Sequence, residues 1–165
     1  MRPDASKPSK SPYITAEGYR VLEGETKALW KRRAEVTKAL SAAAAEGDRS
    51  ENAEYIYRKK ELREIDRRIR YLQKRMPDLR IVDTVPTDKA RIFFGAWVNL
   101  SDEQGVETVF RVVGPDELDP KRGLISMDAP LARAVLGRVV DDEVVVRTPG
   151  GEKRYWIMEL RYEAP

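Results

Sequence analysis

Glu46-Gly47-Asp48-Arg49-Ser50-Glu51-Asn52-Ala53-Glu54-Tyr55 is a short polar stretch between two long apolar repeats. Gly47 stands where a preceding helix would stop, because glycine accepts the left-handed geometry that closes many helix C-termini. Asp48, Glu51 and Glu54 follow it closely. On the N-terminal side, Leu22, Thr26, Leu29, Arg33, Val36, Leu40 and Ala43 recur at steps of four and three. On the C-terminal side, Tyr55, Arg58, Leu62, Ile65, Ile69, Leu72, Met76 and Leu79 do the same. Both series are heptad seams. Two such helices joined by a short turn predict an antiparallel coiled-coil hairpin with an acidic tip.

The first helix is expected over 16–45, with Thr15 as N-cap and Glu17 in its first turn. About 30 residues at about 1.5 Å each give an arm of roughly 45 Å. Gly18 and Gly24 weaken its beginning, and Ala42 to Ala45 let the helices approach closely near the tip. Pro77 should break the second helix. Arg33 and Arg58 are poor seam residues and are expected to lean out, with their charged heads in solvent.

The chain has 165 residues, which bounds it at one large domain or two small ones. It contains neither cysteine nor histidine. Disulfides, thiol nucleophiles, Cys/His zinc sites and imidazole bases are therefore excluded. A metal would have to be held by oxygen, which suits magnesium. No apolar run reaches the roughly 20 residues of a membrane helix. Residues 1–12 lack the apolar core of a secretory signal and read as a disordered tail. A cytoplasmic monomer with no membrane association is expected.

Charge divides the chain. Residues 1–83 hold 20 Lys/Arg against 14 Asp/Glu, and residues 84–165 hold 11 against 14. Lys59, Arg63, Arg67, Arg70 and Lys74 fall on one face of the second helix. Such a stripe suits a polyanion; the alternative is a solvated face with local pairs such as Glu64 with Arg68.

After the hairpin, residues 81–87 read as a linker into a second domain over 88–165. Strands are expected at 91–100, 106–113, 123–127, 142–148 and 152–162, with a short helix from Pro130 to Leu136 ended by Gly137. The class is α+β, with an antiparallel sheet and one helix.

Asp48 and Glu51 have two readings. Asp-x-x-Glu ahead of a helix is a capping box, with Asp48 as N-cap and Glu51 at N3, and Ser50 is a second candidate cap. Alternatively, two carboxylates at an exposed apex form half of a magnesium site, since octahedral magnesium needs further ligands from a partner.

The stretch 47–55 and the basic run Lys59-Lys60-Glu61-Leu62-Arg63-Glu64-Ile65-Asp66-Arg67-Arg68 resemble the bacterial transcript cleavage factors GreA and GreB. So do Phe93-Phe94-Gly95-Ala96-Trp97 and Ile125-Ser126-Met127-Asp128-Ala129-Pro130-Leu131-Ala132-Arg133-Ala134. The resemblance runs from about Tyr13 to Tyr162. Arg49 stands where GreA-like sequences usually carry Leu, which with the basic helix makes the chain look more like GreB.

The resemblance implies that the coiled coil enters the secondary channel of backtracked RNA polymerase. Asp48 and Glu51 would help hold the second magnesium ion of the polymerase active site and position the attacking water. The basic stripe would face the 3′ segment of the nascent RNA. The chain would stimulate the polymerase's intrinsic nuclease without being an enzyme itself. The second domain would be FKBP-like and dock on the polymerase through Asp128 and Pro130, although this chain has Ala129 where the family often has Ser. Competing expectations are a channel-binding regulator that does not stimulate cleavage, a prolyl isomerase and a DNA-binding coiled coil.

Overall fold

The computed structural model describes residues 9–46 and 52–165. Two compact units emerge: Tyr19–Leu79, and Arg80–Pro165 together with the described residues up to Gly18.

The first unit is the hairpin. Helix α1 runs from Ala16 to Ala44 and α2 from Ala53 to Arg75. Every described seam position is buried or half-buried, with Leu22, Val36, Ala43, Ile65, Ile69 and Leu72 fully buried. Val36, Ile65 and Ile69 form its central cluster, flanked by Leu29 and Leu62. Each large aliphatic side chain buried in this way contributes about 1.5–3 kcal/mol.

Polar contacts lock the register of the two helices. Arg68 makes a two-pronged bond to Glu25 at 2.8 and 2.9 Å. Arg33 reaches Asp66 at 2.7 Å, and Arg32 reaches Glu61 at 2.7 Å. Asn52 donates its side-chain amide to the Ala43 carbonyl at 2.8 Å. As the α1 partner climbs from 25 to 43 the α2 partner falls from 68 to 52, so the helices are antiparallel.

Two expectations are refined here. Arg33 and Arg58 lean out as expected but are not left to solvent alone: Arg33 pairs with Asp66, while Arg58 bridges Glu54 and Glu61 on its own helix. A guanidinium at a seam edge finds a carboxylate within reach, and a charge-assisted bond then fixes where it leans. Arg68 crosses to Glu25, where the solvated-face alternative had paired it with Glu64. Past α2, Pro77 sits within a 3-10 turn over Met76–Asp78 that ends the helix.

The second unit is built on a five-stranded sheet. Its strands are β3 (Trp97–Asp102), β4 (Glu107–Val113), β5 (Leu124–Ser126), β6 (Glu143–Thr148) and β7 (Gly151–Arg161). Their order is β5-β4-β3-β7-β6. Helix α3 (Pro130–Val135) supplies Ala132 and Val135 to a core that also holds Ile92, Val98, Leu100, Phe110, Val112, Val144 and Ile157. Alternation along β3, with Val98 and Leu100 buried and their neighbours less so, is the period of a sheet with one face on a core. The α+β class holds: a helical hairpin plus a largely antiparallel sheet with a short helix.

Three details depart from the sequence expectation. Strand β5 runs parallel to β4, because a turn over Pro120–Arg122 carries the chain back before it pairs. Residues 91–96 do not extend β3. Ile92 exchanges backbone hydrogen bonds with Arg138 and Gly137, and the Phe93 N–H donates to the Tyr162 hydroxyl at 3.0 Å, so this apolar run lines the core as a loop. The expected linker is also structured at its start. Arg80–Val82 is a strand, β2, that pairs in parallel with β1 (Tyr13–Thr15). β-branched Ile81 and Val82 find a backbone partner there, one that lies far away in sequence.

Strand β1 also passes close over the end of β4. At Gly114 a Cβ would lie 1.9 Å from the Tyr13 carbonyl oxygen, so only glycine fits. The Glu117 carboxylate accepts from the Gly114 N–H at 3.0 Å and from the Thr15 N–H at 2.7 Å, and it also bonds the Thr15 hydroxyl. Thr15 caps α1 as expected, its hydroxyl oxygen accepting from the Gly18 N–H at 3.0 Å.

Candidate functional site

The hairpin end is assembled by Asn52. Its side-chain oxygen accepts from the Tyr55 N–H at 3.1 Å, which makes Asn52 the N-cap of α2. Its amide nitrogen, bonded to Ala43, ties that cap to the last turn of α1. One amide side chain thus fixes both ends of the acidic segment. Asp48 and Glu51 themselves lie outside the described residues, as do Gly47, Arg49 and Ser50. The capping-box expectation is nevertheless corrected, since the N-cap of α2 is neither Asp48 nor Ser50. Asparagine wins because it both accepts from the helix and donates to the facing strand of backbone, which a carboxylate cannot do.

Below the tip, the α2 surface is basic. Lys59, Arg63, Arg67, Arg70 and Lys74 are all exposed, away from the seam. Aromatic rings stand beside cations along the hairpin: Lys59 over Tyr55 at 5.8 Å, Arg58 over Tyr57 at 5.4 Å and Arg68 over Tyr71 at 5.2 Å.

An acid–base cluster marks the middle of the hairpin. The hydrogen bond from Arg32 holds the Glu61 carboxyl below its ordinary range; burial opposes this, and Arg58 adds to it. The same contacts raise both guanidinium groups: Arg32 through Glu61 and then Glu35, Arg58 through Glu54 and then Glu61. Among the described residues no group of three or more acids could hold a metal ion, and no described helix is long and apolar enough to cross a membrane.

In the second unit, Asp128 and Pro130 lie at the junction of β5 and α3. Pro130 is exposed at the first position of α3, and Asp128 is half-buried. The Asp128 carboxylate accepts from Ser11 twice, and its own N–H donates to the Ser126 hydroxyl at 3.1 Å. Ser11 is therefore held against this junction, with Lys10 near Asp116 and Pro12 bonded to Arg80, so 10–12 depart from the expected disordered tail. Residues 1–8 lie outside the description.

Two family profiles match this chain: the transcription elongation factor N-terminal domain over residues 12–81, and the GreA/GreB C-terminal domain over residues 87–162. It is 57% identical over 155 residues to transcription elongation factor GreB of Yersinia pestis, covering 93% of this chain and 91% of the relative. It is 54% identical over 163 residues to GreB of Xanthomonas axonopodis pv. citri, covering 98% and 96%.

The chain belongs to the GreA/GreB family of transcription elongation factors.

Among solved structures, the transcription factor Gfh1 aligns with 93% of this chain and 99% of its own, at 25% identity and a TM-score of 0.43. The GreB-like reading of the sequence agrees with the names of the relatives. Sequence reasoning for this GreA/GreB chain missed Asn52 and Ser11. A signal for Asn52 was present, since asparagine immediately before Ala53-Glu54 is a good N-cap. Ser11 carried none, because its partner Asp128 is 117 positions away.

Proposed function

We propose that this GreB-like factor rescues backtracked RNA polymerase by stimulating the polymerase's own transcript cleavage. The observation that carries the reading is the cap. Asn52 takes the N-cap of α2, a role the sequence could have given to Asp48, and this supports reading Asp48 and Glu51 as oxygen ligands. Asp48 and Glu51 would complete a magnesium site together with ligands from the polymerase active centre. Magnesium, when bound there, supplies Lewis-acid assistance to phosphodiester hydrolysis. The hairpin's part is to carry the two acids through the secondary channel. The exposed stripe of Lys59, Arg63, Arg67, Arg70 and Lys74 attracts the extruded 3′ RNA. Asp128 and Pro130 dock the second domain on the polymerase. The factor lends residues to the polymerase and turns over no substrate alone.

The test is RNA cleavage in a backtracked complex at saturating factor, beside a thermal melt. Asp48→Asn and Glu51→Gln each keep side-chain shape but make poor magnesium ligands, so cleavage should fall by about tenfold or more. Polymerase binding and melting temperature should stay near wild type, and raised magnesium should restore part of the rate. Full cleavage by both variants would overturn the reading and leave a channel-binding regulator.

A further inference from the structure

In the N-terminal segment, residues 10–12 are each tied to the sheet domain. Pro12 accepts from the Arg80 N–H at 2.7 Å, and Lys10 lies 3.8 Å from Asp116, whose side chain is only 3% exposed. Between them sits Ser11. Its backbone N–H donates to one Asp128 oxygen at 2.9 Å and its hydroxyl to the other at 2.5 Å. A carboxylate held at both oxygens cannot rotate about its terminal torsion, so Asp128 is confined to one orientation. Its two oxygens offer about four lone-pair sites and Ser11 occupies two, which leaves accepting capacity beside the exposed Pro130.

We propose that Ser11 is a positioning residue for docking: it presents the Asp128 carboxylate, preoriented, to N–H donors on the polymerase surface. The inference rests on the docking role given above to Asp128 and Pro130. It makes the docking surface composite, built from the β5–α3 junction and a segment far away in sequence. The physical gain is preorganisation. An acceptor already fixed in place loses no rotamer freedom when the partner arrives. A charge-assisted bond of this kind is also directional, so a misaligned carboxylate would meet the same donors at a poorer angle.

The experiment titrates full-length factor against backtracked complexes, reading the half-saturating concentration and the saturated cleavage rate separately. Ser11→Ala removes the hydroxyl donor and keeps the backbone one. It should raise the half-saturating concentration about fivefold, the scale of a weakened hydrogen bond to a charged group, while the saturated rate stays at wild type. Ser11→Thr, which keeps the hydroxyl, should restore tight binding. In an Asp128→Asn background the Ser11→Ala change should add little, because the two residues act as one unit.

Wild-type half-saturation in Ser11→Ala, or an undiminished effect of it in the Asp128→Asn background, would overturn the inference. A fall in saturated rate at constant half-saturation would do the same. If Asp128→Asn weakens binding while Ser11→Ala does not, only the positioning role fails. If Asp128→Asn itself binds as wild type, the docking reading fails and the inference with it. A thermal melt of each variant separates these outcomes from unfolding, and a Ser11→Ala melt lowered as far as its binding would also count against the proposal.

Discussion

The hairpin and the sheet domain are held together in different ways. Among the described residues, the sheet domain packs ten buried residues into one cluster, including Phe110, Ile92, Leu100 and Ile157. Among the described residues, the hairpin has a central cluster of three, Val36, Ile65 and Ile69, and a series of charge pairs between its helices. Two helices can bury only one stripe each, whereas a sheet with a helix against it buries a whole face. A long thin arm must therefore draw more of its register from polar contacts. The arm's geometry is encoded in directional bonds, which fix position well, and the domain's stability is encoded in volume.

The widest separation should come from core truncation. Phe110→Ala should cost about 3–5 kcal/mol and Ile65→Ala about 2–4 kcal/mol. Thermal melts followed by the near-ultraviolet aromatic signal and by the far-ultraviolet helical signal check both. If the hairpin change cost as much as the domain change, the contrast between a thin and a thick core would break.

A smaller effect is expected at the cap. Asn52→Ala removes both the cap and the bridge to Ala43, and should cost about 1–2 kcal/mol. Asn52→Asp keeps the cap but has no donor for Ala43, so it should fall between. Equal stability of the alanine variant and wild type would show that the hairpin end is not organised by this amide.

The smallest effects concern the charge pairs. Breaking the pair between Glu25 and Arg68 with Arg68→Gln should cost about 1 kcal/mol or less, and less still at high salt. Acid should act on the same network. The folded pKa of Glu61 lies below its ordinary value of 4.5, so its contribution is fully present above that value. As pH falls below 4.5 and through the folded pKa, the proton is taken up and the contribution is lost. Glu61→Gln should therefore narrow the difference in hairpin stability between neutral pH and pH values below 4.5. An unchanged acid profile in that variant would remove Glu61 from the account.

Much of this protein was legible in its residues. The heptad seams run through positions that are all buried or half-buried in the fold, and the five basic residues of α2 stand exposed as their spacing implied. Strands β6 and β7 fall within a residue or so of where alternation and turn residues put them. The misses share a cause. The run 91–96 is apolar enough for a strand, yet its hydrogen bonds go to Gly137, Arg138 and Tyr162. Ile81 and Val82 read as linker until β1 supplies their partner.

The sequence by itself determined the antiparallel hairpin, its seam, its basic face and the acidic segment at its end, because helical periodicity is a local property written in spacings of three and four. Tertiary structure alone decided that Asn52, a cap its position already allowed, also bridges to Ala43. It alone decided that β5 turns parallel, that β1 and β2 pair, and that Ser11 grips Asp128. Each of these is a bond between groups whose closeness depends on how the intervening chain packs, and directional bonds of that kind leave no periodic trace in the residues that make them.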